Sequence, residues 1–218
     1  MDSKGHLFAL WTIFKRVENG EATGKQSLKE IIQNFGKDVS CRGIYDVSMM
    51  RSDSDIMVWL TGNTAEALQE AMREIRRSTD MKGASISWSA MGVHREAEFN
   101  KSHVPGFTRG VEAEKWLCVY PFVRSYDWYI LDPKERAEML REHGIKGAAH
   151  KSVIANTVSA FGLNDYEWIL PLEAPNVEDL VDVMRDLRNT KARLHVREEI
   201  PFYTGRMIDI EDIEEILS

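Results

Sequence analysis

Two side chains in this sequence could serve metal or radical chemistry. His143 lies one turn beyond Leu140 on the apolar side of a predicted helix, and an inward-facing imidazole can act as an axial iron ligand. Tyr120 ends a strand-like run in which alternation places it on the same face as Trp116 and Cys118. A phenol at such a position can transfer a proton or take part in redox chemistry. Spacing alone is equally compatible with structural roles for both residues.

Three arginines could bind the carboxylate groups of an acidic ligand. A guanidinium meets a carboxylate through two parallel hydrogen bonds, and Arg124, Arg193 and Arg197 are the candidates. Ordinary surface ion pairs would explain them as well. The sequence has no glycine-rich phosphate loop, no Gly-x-Ser-x-Gly and no His-Glu-x-x-His, and two cysteines cannot hold an iron–sulfur cluster. A nucleotide-dependent enzyme or a serine hydrolase is therefore not expected.

The composition predicts a globular protein. The chain has 218 residues, of which 43% are hydrophobic and 29% are charged, with a net charge of -7. This charge argues against a nucleic-acid partner but leaves room for a local basic pocket. No apolar run approaches the ~18 residues of a membrane span, and the N-terminus lacks the features of a signal peptide. We therefore expect a cytoplasmic protein without a membrane partner.

The chain contains an internal duplication. Residues 71–79 (Ala-Met-Arg-Glu-Ile-Arg-Arg-Ser-Thr) resemble residues 183–190 (Val-Met-Arg-Asp-Leu-Arg-Asn-Thr). Each segment reads as a helix and follows a strand-like run, at residues 55–60 and 165–172. Two unrelated amphipathic helices remain the alternative explanation.

Helix signals support two equivalent halves. Ser27 and Glu30 form a capping box. The proline at position 133 suits the first turn of a helix that is predicted to run to about His143 and to end at Gly144. Strand-like runs lie between the helices at residues 7–14, 42–46, 56–60, 84–89, 115–121, 157–161, 166–172 and 194–197.

The order of these elements is βαββαβ, twice, which predicts an α+β fold. We expect tandem ferredoxin-like repeats packed as a dimeric α/β barrel within one chain. The predicted N-terminal repeat spans residues 1–92 and the C-terminal repeat residues 115–205, followed by a tail at 206–218. Residues 93–114 form a connector of unusual length, and such loops are often functional.

Five motifs between residues 97 and 202, in the connector and the C-terminal repeat, carry a family resemblance. With these motifs the sequence resembles the chlorite dismutase-like haem proteins and, among them, the coproheme decarboxylases of actinobacteria. The first half matches more loosely. The motifs are Ala-Glu-Phe-Asn-Lys-Ser-His at 97–103, Val-Tyr-Pro-Phe-Val-Arg-Ser-Tyr-Asp-Trp-Tyr at 119–129, Arg-Glu-His-Gly at 141–144, Asp-Tyr-Glu-Trp at 165–168 and Leu-His-Val-Arg-Glu-Glu-Ile-Pro-Phe at 194–202.

The resemblance implies a role for each of five residues. His143 takes the place of the proximal iron ligand, and Tyr120 that of the tyrosine that becomes a radical. His103, in the connector, matches the distal histidine that acts as a base toward peroxide. Arg124 matches a basic position near a substrate propionate, and Trp128 lies close to that pocket. The resemblance also implies the double ferredoxin-like barrel and a homo-oligomer, commonly a pentamer.

The activity that the resemblance implies belongs to haem biosynthesis. Hydrogen peroxide drives the oxidative decarboxylation of two propionates of Fe-coproporphyrin III (coproheme), which yields haem b. The iron porphyrin is then both substrate and cofactor. A chlorite dismutase-type enzyme is one alternative, but it needs a distal arginine that residues 152–162 lack. The others are a non-catalytic haem-binding or delivery protein, which would need no radical at Tyr120, and a barrel that binds no porphyrin.

Overall fold

The computed structural model describes residues 7–18, 20–95 and 104–218. The first half of the chain forms four strands and two helices. They are β1 (Phe8–Arg16), α1 (Leu28–Gln33), β2 (Val39–Asp46), β3 (Ile56–Gly62), α2 (Ala65–Arg77) and β4 (Ala84–Val93). The predicted capping box is confirmed: the Ser27 hydroxyl accepts from the Glu30 backbone N–H, and the Glu30 carboxylate accepts from the Ser27 backbone N–H.

The second half repeats this order with additional short elements. They are β5 (Trp116–Arg124), α3 (Pro133–Ala149), β6 (Ile154–Ala155), β7 (Val158–Ser159), β8 (Trp168–Ala174), α4 (Val177–Arg188), β9 (Val196–Glu198), β10 (Tyr203–Met207) and α5 (Ile213–Ile216). Four 3₁₀ turns are present in the described part, at Gly106–Arg109, Trp128–Ile130, Lys191–His195 and Ile210–Asp212.

The strands of both halves form one sheet that closes into a ring. Its order is β6-β8-β7-β4-β1-β3-β2-β10-β5-β9, and an additional pairing joins β8 to β5. The two halves meet where β10 pairs with β2 and where β4 pairs with β7. All of these pairings are antiparallel. The α+β prediction is confirmed.

The two faces of the ring bury different apolar clusters. The inside is filled from strands of both halves, with Trp11, Trp59 and Leu117 among the buried residues. The outer face of the second half packs on α4, with Cys118 and Tyr120 among its members. Alternation along β5 therefore places Tyr120 outside the ring, between the sheet and the helices.

Two element predictions need correction. Helix α3 does not end at Gly144 but continues to Ala149. A glycine inside a helix costs only about 1 kcal/mol, which neighbouring turns can offset. The strand expected at 194–197 is a 3₁₀ turn over its first two residues and belongs to the short β9 over its last two.

One of the strands at which the halves meet, β10, was not predicted from the sequence. Its Gly205 lies against β2, where an added Cβ would come within 2.5 Å of the carbonyl oxygen of Asp46. Glycine weakens a strand signal, and here it marks a close approach between backbones. Among the helices in the described ranges, none is long and apolar enough to cross a membrane. The cytoplasmic location and the division into repeats stay predictions.

Candidate active site

Two adjoining cavities lie between the outer face of the second-half sheet and helices α3 and α4. Their volumes are about 200 Å³ and about 980 Å³. The phenol of Tyr120, the imidazole of His143 and the hydroxyl-bearing Thr157 line both of them. Apolar side chains line both as well, namely Leu140, Leu170 and Leu187. The structure thus brings together the two residues that the sequence singled out for metal and radical chemistry.

Helix α3 carries His143 and is held against α4 at its C-terminal end. The ammonium of Lys146 donates to the carbonyl oxygen of Asn189 at 2.7 Å, and the ring of His150 lies 2.8 Å from the carboxylate of Asp186. The proline-initiated first turn is capped by the Asp132 side chain, which accepts from the Lys134 N–H. Both ends of the helix are therefore fixed, which fixes the imidazole at the cavity wall.

The donor set fits an iron that a porphyrin already holds. In the ranges that the structure describes, no group of three or more His, Cys, Asp or Glu side chains could hold a bare metal ion. His143 can supply one axial ligand beside apolar walls, and iron in a porphyrin requires little more from the protein. The arrangement therefore suits a haem-like group.

The phenol of Tyr120 is almost completely buried, at 3% exposure. Its ring stacks on Phe202 with 4.5 Å between centroids and 21° between planes. Burial raises the pKa of Tyr120 well above its usual value, and Cys118 and Glu199 raise it further, against a lowering by nearby arginines. The hydroxyl is therefore protonated at any physiological pH and can donate a proton or a hydrogen atom.

Arg124 presents a cation to the smaller cavity from the end of β5. Its guanidinium carbon lies 4.1 Å from the ring centroid of Trp128 and 4.8 Å from that of Phe122. Burial lowers the pKa of Arg124 to about 10, which leaves it charged at neutral pH. The backbone N–H of Arg124 donates to the Glu167 carboxylate at 2.8 Å. Within the described residues the guanidinium of Arg124 forms no salt bridge, so it is available to bind an anionic group.

Trp128 lies behind Arg124 rather than at the cavity wall. It is 2% exposed, and its ring contacts both the Arg124 guanidinium and the imidazole of His195, whose centroid is 5.4 Å away. It is absent from the residues that line either cavity. Trp128 therefore contacts Arg124 and not the cavities themselves, and its binding role stays a prediction.

Arg193 and Arg197, the other two arginine candidates, have different surroundings. Arg193 lines the smaller cavity, together with Arg188 and Glu199, which sequence reasoning did not single out. Arg197 instead stacks on Tyr126, with 4.3 Å from its guanidinium carbon to the ring centroid, and Tyr126 is 82% exposed. In the sequence, the basic residues at the end of helix α4 were the feature that could have identified Arg188 as a candidate.

The predicted distal residue His103 lies outside the described residues. The described residues on either side of that gap, Arg95 and Val104, line the smaller and the larger cavity respectively.

A buried ion pair anchors the rest of the connector. The Glu173 carboxylate accepts from Arg42 at 2.8 Å, from Asn156 at 2.8 Å and from the backbone N–H of Glu114 at 3.0 Å. The side-chain oxygen of Asn156 accepts from the Phe107 N–H at 2.9 Å. Burial raises the pKa of Glu173, and Arg42 opposes that shift. These contacts tie the connector to strands of both halves.

Residues 21–208 match the family model described as chlorite dismutase. The chain belongs to the chlorite dismutase family. This confirms the family resemblance predicted from the second-half motifs. Within the family, the chain is 51% identical over 182 residues to the coproheme decarboxylase of Mycolicibacterium smegmatis, an alignment covering 83% of this chain and 79% of that relative.

More distant members of the chlorite dismutase family share parts of the sequence or the fold. The coproheme decarboxylase of Thermus thermophilus is 27% identical over 118 residues, which cover 52% of this chain and 47% of that protein. A mutant chlorite dismutase from Candidatus Nitrospira defluvii superposes with a TM-score of 0.82 at 16% identity, covering 99% of this chain and 96% of the other. The similarity to the Candidatus Nitrospira defluvii protein shows a shared fold and nothing more.

The stretch in which a distal arginine was sought, residues 152–162, contributes only uncharged side chains to the larger cavity. They are Val153, Ile154, Ala155 and Thr157, whereas Lys151, Arg109 and Arg141 bring cations to the same cavity from outside this stretch.

Proposed function

We propose that this protein catalyses the hydrogen peroxide-dependent decarboxylation of two propionates of iron coproporphyrin III, which gives haem b. The observation that carries the proposal is the position of Tyr120 and His143, which line the same two cavities. The 51% identity to the Mycolicibacterium smegmatis coproheme decarboxylase supports the choice of substrate.

The cavity chemistry suits a flat apolar ring that bears several carboxylates. Leucine side chains and Phe122 supply apolar walls, and Arg95, Arg124, Arg188 and Arg193 supply cations at the smaller cavity. Guanidinium groups bind carboxylates strongly because each bond is charge-assisted and two can form in parallel. The iron of the bound substrate supplies the redox chemistry, which a protein side chain cannot provide alone.

In this proposal His143 binds the substrate iron through a neutral imidazole nitrogen. Arg124 holds a propionate in place, and Trp128 holds Arg124. Positioning matters because hydrogen abstraction requires the reacting atoms to be in near contact. His103 serves as the base that takes a proton from hydrogen peroxide.

Tyr120 loses a hydrogen atom from its hydroxyl and, as a tyrosyl radical, takes one from the β-carbon of a propionate. Its protonated state, imposed by burial, keeps that hydrogen available. Each propionate loses carbon dioxide and becomes a vinyl group. One peroxide and one proton are consumed for each carboxylate, and two water molecules are formed.

The proposal also includes the barrel architecture, the oligomeric state and the cellular location of the protein. The closed ring is compatible with tandem ferredoxin-like repeats packed as a dimeric α/β barrel, because βαββαβ order recurs in both halves. We also propose a homopentamer in the cytoplasm.

The decisive experiment is a peroxide titration of the coproheme-loaded protein, followed by mass spectrometry of the porphyrin. We expect a three-propionate intermediate and then haem b. An unchanged porphyrin after excess peroxide would overturn the proposal in favour of a haem-binding protein. Addition of chlorite in an oxygen electrode tests the chlorite dismutase alternative, and we expect no release of oxygen.

A further inference from the structure

At the smaller cavity, two of the arginines already form ion pairs with a carboxylate of the protein itself. The Glu199 carboxylate accepts from Arg188 at 2.7 Å through one oxygen and from Arg193 through the other. The Glu199 side chain is 13% exposed, whereas each arginine is 37% exposed. All three residues line the cavity together with Tyr120. The cavity that is suited to ligand carboxylates thus already contains one.

The three charges lie close enough to Tyr120 to act on its phenol. Glu199 is among the groups that raise the pKa of Tyr120, and Arg188 and Arg193 are among those that lower it. A ligand carboxylate bound by this arginine pair would therefore lie beside the residue proposed to attack it. The pair differs from Arg124, whose guanidinium has no salt bridge within the described residues.

We propose that Glu199 is an internal competitor for the substrate carboxylate at Arg188 and Arg193. A substrate propionate displaces Glu199 from the two guanidinium groups, and Glu199 returns when that propionate has been lost as carbon dioxide. This inference rests on the proposed function, because it assumes a substrate that carries a carboxylate at this position and a product that lacks it.

The exchange has a physical advantage for turnover. Without a replacement, loss of the substrate carboxylate would leave two cations facing each other in a partly desolvated cavity, which is costly. Return of Glu199 compensates one of the two positive charges and bridges both guanidinium groups, which stabilises the product-bound and empty states. The same competition weakens substrate binding, since the substrate must replace an existing ion pair.

The test compares equilibrium binding of iron coproporphyrin III and haem b without peroxide. The variants are Glu199→Gln and, as the matched control, Glu198→Gln, which removes one charge at an exposed neighbouring position. Binding is followed through the Soret absorbance. The iron–His143 bond contributes to both ligands and cancels in their comparison.

We expect E199Q to bind iron coproporphyrin III roughly fivefold to tenfold more tightly than the unmodified protein, as the loss of a partly exposed ion pair suggests. Haem b affinity should change by less than about twofold, and E198Q should change neither. Unchanged or weaker coproporphyrin binding by E199Q, or an equal gain for both ligands, would overturn the proposal.

A second variant keeps the test decisive if E199Q does not fold. Arg193→Gln should weaken iron coproporphyrin III binding while leaving haem b binding unchanged, and equal losses for both would refute the competitor role. Because no turnover is needed, the binding result is independent of the decarboxylation assay. Decarboxylation without a selective shift would refute this inference and leave the proposed function standing. A selective shift without decarboxylation would refute the proposed function and the return of Glu199 after carbon dioxide loss, but it would leave the competition for the substrate carboxylate standing.

Discussion

The chemistry of single residues in this protein depends on how completely each is removed from water. Tyr120 is 3% exposed and stacked on Phe202, which keeps its hydroxyl protonated and its ring in one orientation. A group of this kind can donate a hydrogen atom without first losing a proton to solvent. Arg124 remains charged although burial lowers its pKa.

Replacement of Tyr120 by phenylalanine tests its proposed role. Y120F removes only the hydroxyl, so coproheme binding should be retained. We expect the rate of carbon dioxide release to fall by at least about 10³-fold, because the hydrogen acceptor is lost. Mass spectrometry of the porphyrin after peroxide addition gives the answer. Tyr126→Phe, at a surface phenol that contacts Arg197, should behave normally, and a fully active Y120F would contradict the radical role.

The iron-binding role of His143 has a spectroscopic test. His143→Ala removes the only histidine that lines both cavities among the described residues. The resonance Raman band of an iron–imidazole bond should disappear from the coproheme complex. His195→Gln is the control, because that imidazole packs on Trp128 behind the cavity. An unchanged band in H143A would show that another residue binds the iron.

At the scale of elements, the cavity depends on one long helix and its contact with α4. The last turns of α3 carry Lys146 and His150, whose hydrogen bonds reach the end of α4. Had α3 ended at Gly144, these contacts would be lost and His143 would sit at a frayed terminus. The continuation through glycine thus matters for the orientation of the imidazole.

A pair of glycine substitutions separates helix propensity from close packing. Gly144→Ala should stabilise the protein by about 0.5–1 kcal/mol, because a Cβ there meets nothing within 4 Å and alanine favours a helix. Gly205→Ala should destabilise it, since its Cβ would lie 2.5 Å from the Asp46 carbonyl oxygen on β2. Urea unfolding of both variants checks this. A destabilised G144A would indicate that the cavity wall cannot accept a methyl group.

At the scale of the whole molecule, the ion pair between Arg42 and Glu173 joins parts that are far apart in sequence. Arg42 lies on β2 of the first half and Glu173 on β8 of the second, and both bind the connector backbone at Val111 and Glu114. The Glu173 side chain has no exposed surface. A charge in that position is tolerated only because its hydrogen bonds are satisfied.

Removal of one partner of this ion pair should be severe. Glu173→Ala leaves Arg42 buried without its carboxylate, and we expect a loss of about 3–5 kcal/mol in the free energy of unfolding. A double variant, Arg42→Met with Glu173→Met, should recover much of that loss, because apolar pairs can replace buried ion pairs. Urea denaturation measures both. A change below about 1 kcal/mol in E173A would mean that the ion pair contributes little.

Limited proteolysis of the same variants reports on the connector. Since Glu173, Arg42 and Asn156 bind four of its backbone groups, residues 104–114 should be cleaved faster in E173A. The double variant should resemble E173A in this assay even where its global stability recovers.

The sequence alone determined those properties that depend on local pattern and residue type. Helix starts followed from the capping residue at position 27 and the first-turn proline at position 133, and the α+β class followed from the repeated order of elements. The placement of Trp116, Cys118 and Tyr120 on one strand face followed from alternation. The family motifs pointed to His143 and Tyr120 because motif residues keep their order along the chain.

Only the tertiary structure decided which surfaces face one another. Alternation cannot tell the inside of a closed ring from its helix-covered outside, because both faces are apolar, so the position of Tyr120 outside the ring required the packed fold. The Glu199 bridge joins the end of α4 to a segment beyond β9, and no local pattern encodes such a contact. The linking strand β10 was missed because its pairing with β2 and β5 is supplied by distant parts of the chain.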